Sequence, residues 1–176
     1  MNKVSLPEIV KITNALTENN ISYWLAGGIL LGLYRDKQII TYDNNVDLGV
    51  YDYMYEESNK IKLINLMYKL NYKLWYVNHS KIVVINSFKQ FHVEFFRFRK
   101  NDKYYYHPDY QGYFYYPLEC LDKLQKYSYN EKIKFFIPNN PEKYLICQYG
   151  NWKIPNSNFK KPNDYKNYTI NLKDLI

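Results

Sequence analysis

The chain has 176 residues, the size of one ordinary domain, and 47% of them are hydrophobic, which excludes a disordered chain and leaves enough for a core. Lys and Arg number 24 against 17 Asp and Glu, a net charge of +7, so the surface field favours anionic partners such as nucleotides, nucleic acid, anionic lipid or phosphorylated glycans. Two cysteines, Cys120 and Cys147, exclude a disulfide scaffold, and without CxxC spacing they read as buried thiols rather than zinc ligands.

In chain order, Ser5-Leu6-Pro7-Glu8 matches a capping box with proline in the first turn, and Ile9, Val10, Ile12, Ala15 and Leu16 continue a helical period to Asn19-Asn20. Residues 21–26 read as a buried strand that Gly27-Gly28 breaks, and 29–36 resume as a short helix. A loop over 39–45 leads into an alternating strand, with Val46, Leu48 and Val50 on one face and Asp47 on the other. A second helix spans Glu57 to Leu70. Three strands follow, YKLWYV, KIVVIN and FHVEFFRF, the last two as a hairpin. The runs YYYH (104–107) and YFYYP (113–117) read as a β-hairpin around a turn at 107–111. The 22 tyrosines, with abundant Asn, Lys and Ile, follow A/T-rich codon usage and are not read as a base-stacking surface. One helical turn at 117–121 and a short strand ending at Pro138 lead to a last helix, with Asn140 as N-cap, Pro141 at the first position and Gly150 as C-cap. The tail from Trp152 reads as irregular.

The order implies a single α+β domain with a mixed β-sheet flanked by helices. The N-terminal MNKVSLPEIVKITN lacks an apolar leader, and no stretch of about 18 apolar residues is present. The expectation is a cytoplasmic or virion-internal protein without a signal peptide.

Chemistry concentrates between Gly27 and Glu94. Glycines at a strand-to-helix turn let backbone approach a ligand, and free N–H groups at a helix start suit phosphate. Asp43 and Asp47 follow about 15 residues later, and Glu94 sits among apolar residues on a neighbouring strand. Carboxylates converging from adjacent strands are what a Mg²⁺ or Mn²⁺ site for nucleotide phosphates needs. Each feature also has a plain reading: a Gly-Gly turn, an Asx turn at 43–45, and Glu94 either paired with Arg97 or Arg99 or lying on an exposed sheet face. His79, His92 and His107 lack metal spacing, although His92 and Glu94 share a strand face.

The pattern resembles the LicD family, which includes fukutin and fukutin-related protein and has a nucleotidyltransferase-like fold. Its G-T-L-L-G is met by Gly28-Ile29-Leu30-Leu31-Gly32, its arginine by Arg35, and its acidic run D-x-D-x-D-(aliphatic)-G by residues 43–49. Glu94 in HVEFF falls where the family has Asp before an aromatic, and 135–155 looks like the family's closing element. The middle aspartate is Asn45 here, the threonine is Ile29, and the third carboxylate is a glutamate.

The resemblance implies transfer of a phospho-alcohol from a nucleotide-activated, CDP-type donor to a glycan or glycoconjugate. Asp43, Asn45, Asp47 and Glu94 would hold Mg²⁺ or Mn²⁺, and Gly27 and Gly28 would approach the phosphates. Arg35 and Lys37 would steady the leaving group, and Glu94 could instead act as base. A binding module that has lost turnover through Asn45 is the first alternative. A nucleotidyltransferase acting on RNA or protein, for which +7 is compatible, is the second.

Overall fold

The computed structural model describes residues 4–41, 43–86, 88, 91–109 and 112–155. Helix α1 (Leu6–Glu18) is followed by the two-residue strand β1 (Trp24–Leu25), helix α2 (Gly27–Leu31) and one π-turn (Gly32–Asp36). Strand β2 (Asn45–Tyr51), a 3₁₀ turn (Asp52–Tyr55) and α3 (Glu57–Lys69) come next. Then follow β3 (Lys73–Val77), β4 (Lys81–Asn86), β5 (Phe91–Lys100), β6 (Tyr104–Asp109), β7 (Gly112–Pro117), α4 (Leu118–Leu121), β8 (Leu124–Ser128), β9 (Lys134–Pro138) and α5 (Pro141–Tyr149).

The main sheet runs β1-β2-β5-β4-β3, and β6 and β7 extend it from the far end of β5. Among the described residues only β2 and β5 pair in parallel within it, so the sheet is mixed. This parallel pair is reached through α3, β3 and β4, a connection long enough for a crossover. Strands β8 and β9 form a separate antiparallel hairpin. Alternation in β2 and β5 separates two faces. Val46, Leu48, Val50, Val93 and Phe95 are buried on one, while Asn45, Asp47, His92 and Glu94 occupy the other.

Trp24 is the packing centre. It is fully buried, with ring centroids 4.9 Å from Tyr51 and 4.8 Å from Phe98. Its register partner is Gly49, and a Cβ there would land inside the indole ring. The glycine that closes the acidic run is therefore a packing requirement of the tryptophan that opens the Gly-Gly turn.

Several elements differ from the sequence expectation. Ser5 makes no side-chain cap bond, because Glu8 is drawn into the interior, where Tyr72 Oη donates to it at 2.7 Å. The strand expected over 21–26 pairs only at Trp24–Leu25, since β2 meets it over two residues before the turn. The turn expected at 107–111 is shorter: β6 continues to Asp109. Pro108 is tolerated there because beyond Tyr106 the strand has β7 as its described neighbour, an edge-like position. Strand β8 was not expected, its LQKYS having little apolar alternation. The tyrosine runs do form the β6–β7 hairpin, with Tyr104 and Tyr106 packed on Tyr115. Asn140 caps α5, accepting from the Lys143 N–H at 3.1 Å. Both cysteines are free and buried. Trp152, where the tail was expected to begin, is buried, and residues 156–176 lie outside the described residues. No described helix is long and apolar enough to cross a membrane.

Gly49→Ala should destabilise the fold by about 1–3 kcal/mol through overpacking against Trp24. A lower urea midpoint at unchanged slope is the expected reading, and an unchanged midpoint would contradict it.

Candidate active site

The Gly-Gly turn and the acidic run meet face to face. Gly27 has φ +53°, a left-handed conformation that glycine adopts without strain, and a Cβ on it would collide with the Asp47 carboxylate. A Cβ on Gly28 would collide with the Asp43 carboxylate. The close approach that these glycines permit is thus made by the two aspartates. A backbone bond from the Ala26 N–H to the Asp47 carbonyl, 3.0 Å, fixes the turn against β2.

The two aspartates differ in environment. Oδ2 of Asp43 is buried and has no hydrogen-bond partner. Burial pushes its carboxyl up to about 6, against the pull of the Asn45 and Asn44 N–H groups and the nearby His92. Asp47 accepts from the Asn45 side-chain amide in a short bond. An aspartate at position 45 could not donate that bond, so the Asn-for-Asp change replaces a repulsive pair with an attractive one.

Glu94 stands opposite Asp47 in the parallel register, on the same face of neighbouring strands about 4.8 Å apart. Both of its oxygens are engaged. Lys81 Nζ donates to Oε2 at 2.6 Å, and His92 Nε2 donates to Oε1 at 3.1 Å. Arg97 instead pairs with Asp52, as does Arg99 more loosely at 3.8 Å, so the arginine partners expected for Glu94 are corrected to Lys81 and His92. The physical reason is alternation: residues 97 and 99 fall on the other face from 94. Burial works against the Glu94 charge, but His92 and Lys81 together outweigh it and hold the carboxylate below its usual range. Among the described residues no group of three or more His, Cys, Asp or Glu is arranged to hold a metal ion. The aspartate pair offers an orphaned buried oxygen and fits a cation, whereas Glu94 is already satisfied by an ammonium.

Arg35 forks the Asp36 carboxylate at 2.9 and 2.7 Å and donates to the Trp152 carbonyl at 3.0 Å, which ties the π-turn to the segment after α5. Lys37 donates to Tyr127 Oη at 2.7 Å, with that ring 4.9 Å from its ammonium. Tyr144 on α5 is buried, which pushes its phenol up, and the Asp47 charge adds to the rise; its ring lies 6.3 Å from that of Phe98, so the last helix packs on the sheet face that carries Asp47 and Glu94. His107 packs among Phe96, Phe98 and Phe114 as a buried structural residue.

Sequence reasoning missed Lys81, Trp75 and Tyr76. A β-bulge between Leu74 and Tyr76 turns both aromatic rings to the polar face: Trp75 lies 5.7 Å from the His92 ring, and Lys81 Nζ is 5.9 Å from that of Tyr76. The signal available was the hairpin register of β4 on β5, which brings Lys81 to the Glu94 face.

Residues 20–140 match the LicD/FKTN/FKRP nucleotidyltransferase domain, more than half of the chain. The chain belongs to the LicD/FKTN/FKRP family. The matched span holds the Gly-Gly turn, the acidic run and Glu94, and it ends before α5. The chain is similar to an uncharacterized protein of Rickettsia typhi, 34% identical over 154 residues, which covers 85% of this chain and 47% of that protein. It is also similar to an uncharacterized protein of Rickettsia prowazekii, 30% identical over 156 residues, with 85% and 55% covered. The chain spans about half the length of these curated relatives. In fold it is similar to the lincosamide antibiotic adenylyltransferase LnuA bound to lincomycin, with a TM-score of 0.61, 15% identity and 99% and 100% of the two chains covered. ANT(2")-Ia in complex with adenylyl-2"-tobramycin aligns with a TM-score of 0.56, 12% identity and 97% and 88% covered. The family match and the two solved structures agree on a nucleotidyltransferase fold.

The raised Asp43 value gives a signed pH dependence. Unfolded, the group titrates near 4; folded, near 6. The charged form is the disfavoured one, so the fold bears no penalty below about pH 4 and a growing one as pH rises through 6. In chelator-treated protein, Asp43→Asn should raise the urea midpoint at pH 7.5 and leave no gain at pH 4. An equal difference at both pH values would contradict this.

Proposed function

We propose that this chain is a metal-dependent transferase that moves a phospho-alcohol or similar phosphoryl group from a CDP-type donor to a glycan or glycoconjugate. The observation that carries the reading is the packing of the Asp43 and Asp47 carboxylates on Gly27 and Gly28, with one Asp43 oxygen buried and unpartnered. A buried carboxylate oxygen without a donor is costly unless a cation meets it. Asp43 and Asp47, with the Asn45 side-chain oxygen, would hold Mg²⁺ or Mn²⁺. When bound, the ion would neutralise phosphate charge on the donor and on the group in transfer.

The chain's own residues supply the rest. Gly27 and Gly28 leave room for the Asp47 and Asp43 carboxylates to rest on the turn, so that the metal ligands stand beside the backbone that the donor diphosphate would approach. Asn45 orients Asp47 through its amide N–H, and its side-chain oxygen would be a further ligand. Arg35 and Lys37, at the far end of the turn, steady charge on the departing nucleotide. His92 and Lys81 keep Glu94 ionised and fixed, so Glu94 serves as a positioner more than as a base, because a carboxylate held at low pKa is a weak proton acceptor.

A second reading is a binding module that keeps the fold without turnover. Two observations favour it: the amide at position 45 bonded to Asp47, and Glu94 closed by Lys81 and His92.

Calorimetric titration of CTP and CDP, with and without Mn²⁺, separates these from a chain with no nucleotide site. The expected outcome is metal-dependent binding that falls at least tenfold in Asp47→Ala. Equal binding by wild type and Asp47→Ala, or binding indifferent to Mn²⁺, would contradict the assignment. Turnover of a CDP-alcohol then distinguishes the enzyme from the binding module.

A further inference from the structure

We infer that Lys81 is a built-in cation that takes the place of a second metal ion, leaving a centre that binds one divalent cation. The inference rests on the reading of Asp43 and Asp47 as the metal ligands and goes beyond it to the number of ions and to a residue outside the acidic motif.

Three observations lead there. First, the register places the charges in a row on one sheet face. Asp47 on β2 is opposite Glu94 on β5, and Lys81, on the adjacent β4, reaches Glu94 at 2.6 Å. An ammonium therefore stands beside the third carboxylate, where a two-metal centre would bring a second dication. Second, the ammonium is held there. The Lys81 side chain is only 14% exposed, and its Nζ lies 5.9 Å from the Tyr76 ring and 5.5 Å from that of Phe96. A partly desolvated cation acts on neighbouring charge more strongly than one in water. Of its three N–H donors Glu94 takes one and Tyr76 meets another, and the third is equipped to meet a phosphate oxygen as a point charge.

Third, the ligand count falls with the charge count. A pair of metal ions about 3.5–4 Å apart needs carboxylates that bridge both. Position 45 is a neutral amide that donates to Asp47, and both oxygens of Glu94 accept from Lys81 and His92. Two carboxylates remain, Asp43 and Asp47, enough for one dication. Asn45 and Lys81 thus act in the same direction. One removes a negative charge from the acidic run, and the other adds a positive charge beside it. A purely structural Lys81–Glu94 pair would leave the metal count unchanged when it is altered.

The test counts bound Mn²⁺ by electron paramagnetic resonance of the free ion, on protein whose near-ultraviolet circular dichroism matches wild type. Wild type should bind one Mn²⁺ per chain. Asn45→Asp with Lys81→Met should bind two, with Lys81→Gln in its place if the Met form does not fold. Asn45→Asp with Lys81→Arg, which keeps the positive charge, should stay at one. Two ions on wild type, or one on the folded Asn45→Asp, Lys81→Met chain, would overturn the inference and leave the metal-dependent reading standing. No Mn²⁺ on wild type would remove that reading, and the inference with it.

Discussion

Two carboxylates resting on two glycines set the rest of this structure. Asp43 and Asp47 occupy the space that side chains at positions 27 and 28 would fill, and Gly27 takes a left-handed conformation to let this happen. The turn must follow β1 without delay, so β1 is only two residues long. Trp24 must then pack beside Gly49, which fixes β1 on β2 and with it the height of the acidic run above the turn. The nucleotidyltransferase domain's motif residues are therefore mechanically linked. The glycines, the tryptophan and the aspartates each occupy space left by another.

The polar face manages a strong electrostatic conflict. Asp43, Asp47 and Glu94 gather on or beside two strands whose other face is a dry core. The chain relieves this in three ways: an amide at position 45, an ion pair from Lys81, and a histidine on Glu94. Asp43 alone keeps an unmatched buried oxygen, and its carboxyl is pushed up while that of Glu94 is pulled down. Two carboxylates with opposite shifts on one face are a recurring sign of divided roles. Here the division is between a carboxyl with a buried oxygen that no donor meets and a carboxylate that carries an ammonium partner.

Much of this was legible in the sequence because it is local. The alternation in 46–50 fixed the faces of β2, the Gly-Gly pair marked the turn, and Asn140-Pro141 marked the start of α5. The positions of Asp43, Asp47 and Glu94 followed from spacing and from the family resemblance. What sequence did not show depends on pairing between distant strands. Lys81 reaches Glu94 only because β4 returns antiparallel in one register, and Trp75 and Tyr76 share a face only because β3 bulges. Glu8 was misread because its partner, Tyr72, is 64 residues away and burial outweighed the local cap. The residues 97 and 99 expected on Glu94 were excluded by strand alternation, a rule that the sequence did contain.

Anomalous diffraction from crystals soaked in Mn²⁺ tests most directly whether the aspartates on the Gly-Gly turn form the metal centre. The account predicts one peak bounded by the carboxylates of Asp43 and Asp47, with Glu94 still on Lys81. A peak ligated by Glu94 with Lys81 displaced, or no peak beside Asp43 and Asp47, would contradict it.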